Sequence, residues 1–347
     1  MTEQELQGYE GRSAVIPSDT SALTDEIRRL QSVGSNEDKY HQALVQCQSI
    51  INTALGSTEP PVPVPIPPPV PFMVFLPDHP INTRCDTMTV DPNSANLIAS
   101  LGLTTALHPT FGAMYQGQLQ GIPFNWVDAS TPRHTVTFQW PAESDPGPYP
   151  IPANPLIEAG SDAHIICIDR AAGKLYELFA AQRSGSGAWS AGSGAIFDMT
   201  TNHHRPPGWT SADASGMAIY PILAQYDEIA TGQILHSLRF TAVNTRRGYV
   251  HPARHFASAK TDVNLLPMGA RLRLKASVDI SGFPPPVKVI LTALKQFGML
   301  LADNGQNGFL SGAPDDRFDD AVLGRLKEIK MAQFECCLLG PVTTVGA

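Results

Sequence analysis

Short apolar stretches recur along the chain from about residue 72 onward, separated by clusters rich in proline and glycine. Each has 5–10 residues with alternating, β-branched or aromatic positions, which is typical of strands. This spacing predicts a mainly β domain over residues 72–347, an antiparallel sandwich or jelly-roll-like fold, rather than alternating βα units. The predicted strands cover residues 134–140, 164–169, 174–180, 195–199, 234–243 and 270–277.

A helical period of apolar positions interrupts this β pattern twice. Residues 287–302 carry apolar side chains three or four positions apart, with Pro286 at the start. The triplet Asp303-Asn304-Gly305 is typical of a helix end, so we predict one long helix. The alternative is that Asp303 lies in a cleft. Residues 321–331 predict a shorter second helix.

The N-terminal region, residues 1–59, follows a different pattern. Two apolar stripes at helical spacing predict a helical hairpin over residues 18–56. A two-helix hairpin cannot bury both stripes alone, so it packs on the main domain or on copies of itself, which would form a homo-oligomer. The run PPVPVPIPPPVP at residues 60–71 predicts a polyproline II linker, because proline fixes φ and lacks an N–H group.

Composition narrows the classes of partner. The chain of 347 residues has a formal net charge of −8, so we expect no nucleic-acid partner. No apolar run is long enough to predict a membrane span. The polar, acidic first residues do not form a secretory signal. The spacings of the five cysteines match no zinc motif, which favours buried, reduced thiols, with a disulfide or a reactive thiol as the alternative.

Chemically active side chains concentrate in residues 194–228, much of which is turn-forming sequence. Long loops of this kind often carry sites because a rigid scaffold presents them to a ligand. A glycosidase needs two carboxyl groups, one of them desolvated so that its pKa rises and it can donate a proton. We therefore expect Asp213 to be the acid or base and Asp198 or Asp227 its partner.

Other side chains of the same stretch suit a sugar ligand. Trp209 offers an apolar ring face as a subsite wall, and Arg205 and His204 are candidate substrate-binding groups. On this hypothesis Asp213→Asn abolishes turnover and leaves the melting temperature nearly unchanged. The structural alternative is that Asp213 is an ordinary turn or cap residue. Further carboxylates, Glu158, Asp162, Asp169 and Glu177, lie on or beside the preceding strands.

Three cations alternate with leucines in the predicted strand near residue 271. Arg271, Arg273 and Lys275 project from one face, which is unfavourable unless something anionic meets them. The partner is either an acidic residue on a neighbouring strand or the carboxylate of a uronic acid ligand.

Histidines are the other candidate ligands in the sequence. His203 and His204, with His251 and His255, could supply imidazoles to a metal ion, but no established metal motif is present. We therefore expect neither a metal nor a cofactor. The absence of nucleotide-binding and nucleophile-elbow motifs also disfavours nucleotide-dependent enzymes and common esterases.

Six motifs form a specific combination within residues 90–335: ESDPGPYPIP (143–152), GSGAIFDMTTN (192–202), GWTSADASG (208–216), QYDEIATGQILHSLRFT (225–241), RLRLKASVDISGF (271–283) and MLLADNG (299–305). The combination resembles a widespread set of bacterial, mostly secreted, β-rich proteins. The resemblance implies one large β-rich domain and an extracellular or cell-surface location. It carries no activity with it.

Two functional hypotheses follow. The first is a carbohydrate-active enzyme that hydrolyses a polysaccharide or other glycan with paired carboxylates. In a lyase variant, Arg271, Arg273 and Lys275 neutralise a uronate carboxylate while a histidine or tyrosine takes the α-proton. The second is a non-catalytic surface or assembly protein, in which residues 18–56 oligomerise and the proline run holds the β domain away as a binding head.

Overall fold

The computed structural model describes residues 73–113 and 120–345. All of these belong to one of the two units into which the chain divides, Pro68–Ala347. The predicted hairpin at residues 18–56 and the proline linker at residues 60–71 lie outside the described residues. The assembly hypothesis depends on that hairpin and stays a prediction.

The described part of the chain consists mostly of short strands with few helices, which confirms the prediction of a β-rich domain. The four α-helices here are α1 (Ser94–Ala99), α2 (Tyr226–Thr231), α3 (Pro285–Gln296) and α4 (Asp320–Gly324). The strands are β1 (His108–Pro109), β2 (Asn125–Trp126), β3 (Arg133–His134), β4 (Val136–Phe138), β5 (Tyr149–Pro150), β6 (Ile165–Asp169), β7 (Lys174–Phe179), β8 (Gln182–Arg183), β9 (Trp189–Ala191), β10 (Ser193–Asp198), β11 (Leu238–Ala242), β12 (Arg246–Tyr249), β13 (Pro267–Met268), β14 (Arg271–Leu274), β15 (Met299–Asn304), β16 (Phe309–Leu310) and β17 (Phe334–Cys336). Short 3₁₀ helices cover Pro80–Asn82, Pro141–Glu143, Tyr220–Ile222, Arg325–Glu328 and Met331–Gln333.

Two sheets dominate the described domain. The larger has six strands in the order β1-β16-β11-β15-β14-β17, and the smaller has four in the order β10-β7-β6-β2. Both are mixed. In the larger sheet β11 runs parallel to β15 and antiparallel to β16, and in the smaller β2 runs parallel to β6. The predicted antiparallel arrangement is therefore wrong for the pairs β11–β15 and β2–β6, because the connections between these strands are long enough to allow parallel pairing.

The predicted long helix over residues 287–302 is wrong in its second half. Helix α3 ends at Gln296, Gly298 adopts a left-handed φ of 73°, and the chain continues as strand β15. Residues 299–302 are fully buried, so the strand reads as a continuous apolar run. Such a run cannot be told from a buried helix by periodicity alone. The predicted helix at residues 321–331 is also broken, into α4 and two 3₁₀ turns.

A buried carboxylate joins the smaller sheet to the start of the 3₁₀ helix Tyr220–Ile222. Glu177 on β7 has no exposed surface, and its carboxylate accepts hydrogen bonds from the backbone N–H groups of Ile219 and Tyr220 at 2.9–3.0 Å. Burial raises the pKa of Glu177 to about 7, although these N–H donors oppose the shift. The carboxyl group thus fixes the start of the turn that returns the chain to the core.

We expect Glu177→Gln to reduce the pH dependence of stability. Between the ordinary pKa of 4.5 and the folded value of about 7, the folded state binds a proton that the unfolded state has lost. Stability therefore falls as pH rises across this window, by up to about 1.4 kcal/mol per pH unit and on the order of 3 kcal/mol in total. Urea unfolding of the wild type and the variant at pH 5 and pH 8 measures the difference.

Two histidines also contribute to the pH dependence of stability, above their ordinary pKa of 6.5. His164 and His236 also have raised pKa values, despite burial, through their contacts with Glu158 and Glu228, so their contributions are likewise lost as pH rises. Both histidines are present in the wild type and in Glu177→Gln, so the difference in pH dependence between these two proteins isolates the contribution of Glu177. Glu328→Gln is the matched control, because this glutamate lies at the surface. An unchanged pH slope in Glu177→Gln would show that the carboxyl is not protonated in the fold.

Candidate active site

An open cavity of about 330 Å³ lies against the carboxyl-terminal halves of β11 and β15. Its lining includes Arg239 and Thr241 from β11, Asp303 and Asn304 from β15, Phe309 from β16, and Glu158, Asp162 and His164 from the segment that leads into β6. We call this cavity the acidic cleft, because three of these eight side chains are carboxylates. The clefts at the carboxyl ends of parallel strands are frequent ligand sites.

A β-bulge aims Asp303 into the acidic cleft. Phe240 pairs with Leu301, but the next residue, Thr241, pairs with Asp303, so Ala302 is an extra residue on β15. In a regular register Asp303 would pair with Ala242 and face the opposite side of the sheet. The bulge instead places Asp303 on the face of Thr241, the face that Arg239 also shares. The carbonyl of Ala302 is satisfied by the Ser215 N–H at 2.9 Å.

The floor of the cleft is a buried ion-pair network around Arg239. Its Nε and Nη2 donate to the two carboxylate oxygens of Asp213, each at 2.8 Å. Nη2 also donates to Asp303 at 3.1 Å, and Nη1 to the Ser311 hydroxyl at 2.8 Å. The Asp213 side chain is 0% exposed and that of Asp303 is 26% exposed. Asp213 thus neutralises the guanidinium in the buried interior, whereas Asp303 lines the cleft.

Asp303 is suited to donate a proton near neutral pH. Burial and the neighbouring charge of Asp213, opposed by the attraction of Arg239, together raise the pKa of Asp303 to about 6. A carboxylic acid of this pKa keeps a substantial protonated fraction at mildly acid pH and remains a competent acid.

A second carboxylate of the cleft is held by a histidine. Glu158 contacts Nδ1 of His164, whose Nε2 lies 2.9 Å from the Ala212 carbonyl. Burial disfavours the charged imidazole, but the hydrogen bond and charge of Glu158 raise the pKa of His164. A protonated ring donates to both partners at once. Glu158 is therefore oriented by a buried donor, and its side chain stays 19% exposed toward the cleft.

The structure separates the three carboxylates expected to act together. Asp213 lies beneath the cleft, bound to Arg239. Asp198 lies at the surface beside Lys174, and hydrogen bonds from the Thr200 hydroxyl and from Lys174 lower its pKa to about 2. Asp227 lies at the surface and pairs with Arg317 at 2.8 Å. Neither Asp198 nor Asp227 lines the acidic cleft.

The expected substrate-binding groups also have partners within the fold. Arg205 is buried against Asp145, donates to the Thr210 carbonyl at 2.6 Å, and lies over the Trp209 ring at 5.4 Å. His204 packs against two other histidines, and burial followed by the charge of His251 lowers its pKa to about 4. None of these three lines the acidic cleft.

The cations of β14 hold neighbouring backbone instead of forming one anion site. Arg271 is buried and donates to the carbonyls of residues 80, 83 and 297. Arg273 pairs with Glu335 at 2.7 Å, which is the acidic neighbour that the sequence offered as one alternative. Lys275 donates to the Ala332 carbonyl at 2.8 Å. Arg271 and Arg273 line two different cavities, and neither cavity is the acidic cleft.

Within residues 73–113 and 120–345, no group of three or more histidine, cysteine or acidic side chains could hold a metal ion. His255, one of the candidate ligands, lies with Nδ1 2.8 Å from the Ala214 carbonyl. In the same part of the chain, no helix is long and apolar enough to cross a membrane.

Sequence pattern gives too little weight to the residues that form the cleft. It places Asp303 at a helix end and makes Glu158 and Asp162 accessory acids. Arg239 is the signal that could have found them, because a charged residue inside the apolar strand LRFTA must be buried with a carboxylate partner.

Searches against protein-family models, curated proteins and solved structures gave no match. The site is therefore interpreted from its own geometry.

We expect Asp213→Asn to destabilise the domain, contrary to the expectation of an unchanged melting temperature. The change leaves a buried guanidinium with only the partly exposed Asp303 as counter-ion, which costs on the order of 3 kcal/mol. Urea unfolding at pH 7 measures the loss. Asp198→Asn is the matched control and should lose less than about 1 kcal/mol, because its ion pair with Lys174 is exposed. Equal unfolding midpoints for the two variants would contradict the central role of the Arg239 network.

Proposed function

We propose that this chain is a carbohydrate-active hydrolase whose active site is the acidic cleft. The observation that carries the proposal is that Asp303, a carboxyl group whose pKa is raised, and Glu158, a carboxylate oriented by His164, line one open cavity. Hydrolysis of a glycosidic bond needs an acid for the leaving oxygen and a second carboxylate for the anomeric carbon or its attacking water. The expected pairing of Asp213 with Asp198 or Asp227 is thereby replaced by Asp303 with Glu158.

The lining of the cleft supports a sugar ligand. Hydroxyl and amide groups of Thr110, Gln120, Asn304 and Gln306 offer both donors and acceptors, as a polyhydroxyl ligand requires. The half-buried ring of Phe309 offers an apolar face to a sugar ring. A volume of about 330 Å³ lies at the lower end of the range typical of small-ligand pockets, ~300–1,000 Å³.

The proposed steps use these residues in sequence. Protonated Asp303 gives its proton to the glycosidic oxygen as the bond to the anomeric carbon breaks. Glu158, oriented by His164, either attacks the anomeric carbon to form an ester that water then hydrolyses, or deprotonates the water that attacks the anomeric carbon directly. Arg239 then stabilises the Asp303 carboxylate that remains, because the two are already hydrogen-bonded.

The charges around the cleft favour hydrolysis over the lyase variant. A lyase must neutralise a uronate carboxylate, but the cationic side chains that line the acidic cleft, Arg239 and His164, are already paired with carboxylates of the protein. The carboxylates of Glu158 and Asp162 would repel a uronate further. A neutral or amine-bearing glycan fits this electrostatic environment better.

The scaffold of the proposal is a sandwich formed by the two main sheets. Support comes from a shared hydrophobic core that contains Ile166 and Leu175 of the smaller sheet with Leu238 and Leu301 of the larger. The resemblance to secreted β-rich proteins is consistent with a glycan substrate outside the cell, and it remains part of the proposal.

We expect Asp303→Asn and Glu158→Gln each to lower turnover on the cognate glycan by 10²-fold or more, roughly the contribution of a general acid or base. The wild-type rate should fall as pH rises above about 6, when Asp303 loses its proton. Release of reducing ends from a panel of neutral and amine-bearing polysaccharides measures both effects.

Asp227→Asn serves as the matched control for this experiment, because Asp227 lies at the surface away from the cleft. It should keep the wild-type rate and pH profile. Circular dichroism confirms that the variants are folded. Full activity in Asp303→Asn would overturn the assignment of the acid, and no turnover of any glycan by the wild type would overturn the proposed class.

A further inference from the structure

Two cysteine thiols meet at the junction of the first and last segments of the described domain. Cys85 follows the 3₁₀ turn Pro80–Asn82, and Cys337 follows strand β17. Their side chains interact with each other, and neither cysteine forms a disulfide. Cys167 and Cys336, the other described cysteines, are also free and buried.

The backbone fixes both cysteines in place. The N–H of Cys85 donates to the Gln296 carbonyl at 2.6 Å, and the N–H of Cys337 donates to the Arg271 carbonyl at 2.9 Å. Val90 and Cys337 form an isolated antiparallel bridge. Arg273 of β14 also donates to the Cys85 carbonyl, so the segments that carry Cys85 and Cys337 are both tied to β14.

A buried cation lies beside the thiol pair. Arg271 is 8% exposed, and its hydrogen-bond partners in the described structure are backbone carbonyls. No carboxylate pairs with it among the described residues. A buried guanidinium without a carboxylate is costly, and a thiolate at this position would neutralise it.

The thiol pair is next to an opening. Cys337 and Arg271 line a cavity of about 300 Å³ together with Thr83, Met88 and His251. This cavity is separate from the acidic cleft, with which it shares no lining residue. A small disulfide-containing molecule could enter it and reach Cys337.

We propose that Cys337 and Cys85 form a thiol–disulfide exchange site, with Cys337 as the attacking thiol and Cys85 as the resolving thiol. The co-reactant is a low-molecular-weight disulfide such as glutathione disulfide. The proposal stands apart from the proposed hydrolase activity, since it uses a different cavity and different residues.

The exchange is balanced in two steps. The Cys337 thiolate attacks one sulfur of glutathione disulfide, the S–S bond of glutathione breaks, and one glutathione thiolate leaves. Cys85 then loses its proton and attacks the Cys337 sulfur of the mixed disulfide, and the second glutathione thiolate leaves. The two protein thiols are oxidised by two electrons in total, and one glutathione disulfide is reduced to two thiols.

The local charges support this division of roles. The hydrogen bond from Cys85, together with Arg273 and Arg271, lowers the pKa of Cys337. The same hydrogen bond and burial raise the pKa of Cys85. Cys337 is therefore the first thiol to ionise. Cys85 loses its proton only after the mixed disulfide has formed, and its thiolate then attacks the Cys337 sulfur. Thiolate character is what sets the order of attack in such exchange.

The test treats the full-length native protein, with Cys47 replaced by serine, with glutathione disulfide at pH 8. Non-reducing peptide mapping by mass spectrometry should find one new link, Cys85–Cys337, that dithiothreitol reverses. The link closes most of the β domain into one loop, so the melting temperature of the oxidised protein should rise by several degrees.

Three variants separate the roles of the cysteines. Cys85→Ser should accumulate one glutathione adduct on Cys337, whereas Cys337→Ser should acquire neither adduct nor link. Cys167→Ser is the matched buried control and should behave as the parent protein does. A link that involves Cys336 would overturn the proposal. So would the finding that Cys85 and Cys337 do not react in the native protein although they react after unfolding in urea. Both of these outcomes are measured on the parent protein, so they decide the question even if a variant fails to fold.

Discussion

A guanidinium buried inside a sheet must be neutralised by carboxylates, and the architecture of the cleft depends on this constraint. Arg239 meets Asp213 and Asp303, which come from a loop and from a neighbouring strand. Because a full positive charge in the interior is costly, both acids are held where the charge requires them. Because Asp213 already carries a negative charge beside the same cation, a second negative charge on Asp303 is less favourable, which contributes to the raised pKa of Asp303. The same electrostatic arrangement therefore supports the fold and prepares an acid.

The division between the two acids follows from their depth. Asp213 is buried from solvent, and both of its carboxylate oxygens accept hydrogen bonds from Arg239. Asp303 is farther out, has one contact with the guanidinium, and lines the cavity. The residue closest in character to a catalytic acid is thus the less tightly bound member of the network.

Local sequence pattern predicted the β-rich class and the approximate position of several of the longer strands, because side-chain alternation and turn residues are local properties. The pattern did not predict the elements whose conformation depends on tertiary packing. Strand β15 is buried on both faces and continues the apolar period of helix α3 across Gly298, so the pattern could not show where the helix ends. The parallel pairing of β11 with β15 is likewise a long-range property.

The site was harder to predict than the fold for a related reason. Local density of acids pointed to residues 194–228, but the cleft gathers residues from segments far apart in the chain. Asp303 enters it only through the single extra residue of the bulge at Ala302, which no composition or spacing reveals. Charged residues inside apolar strands, such as Arg239, were the more informative signal, because burial forces them to have partners.

The bulge at Ala302 also has a consequence for how the domain tolerates change. In most strands a substitution alters one side chain, but here one residue inserted before Asp303 would pair Asp303 with Ala242 and turn it to the opposite face of the sheet, away from Arg239. Length in this strand is therefore constrained as strictly as chemical identity. Among related chains, insertions should be excluded from residues 299–303 even where the side chains themselves vary.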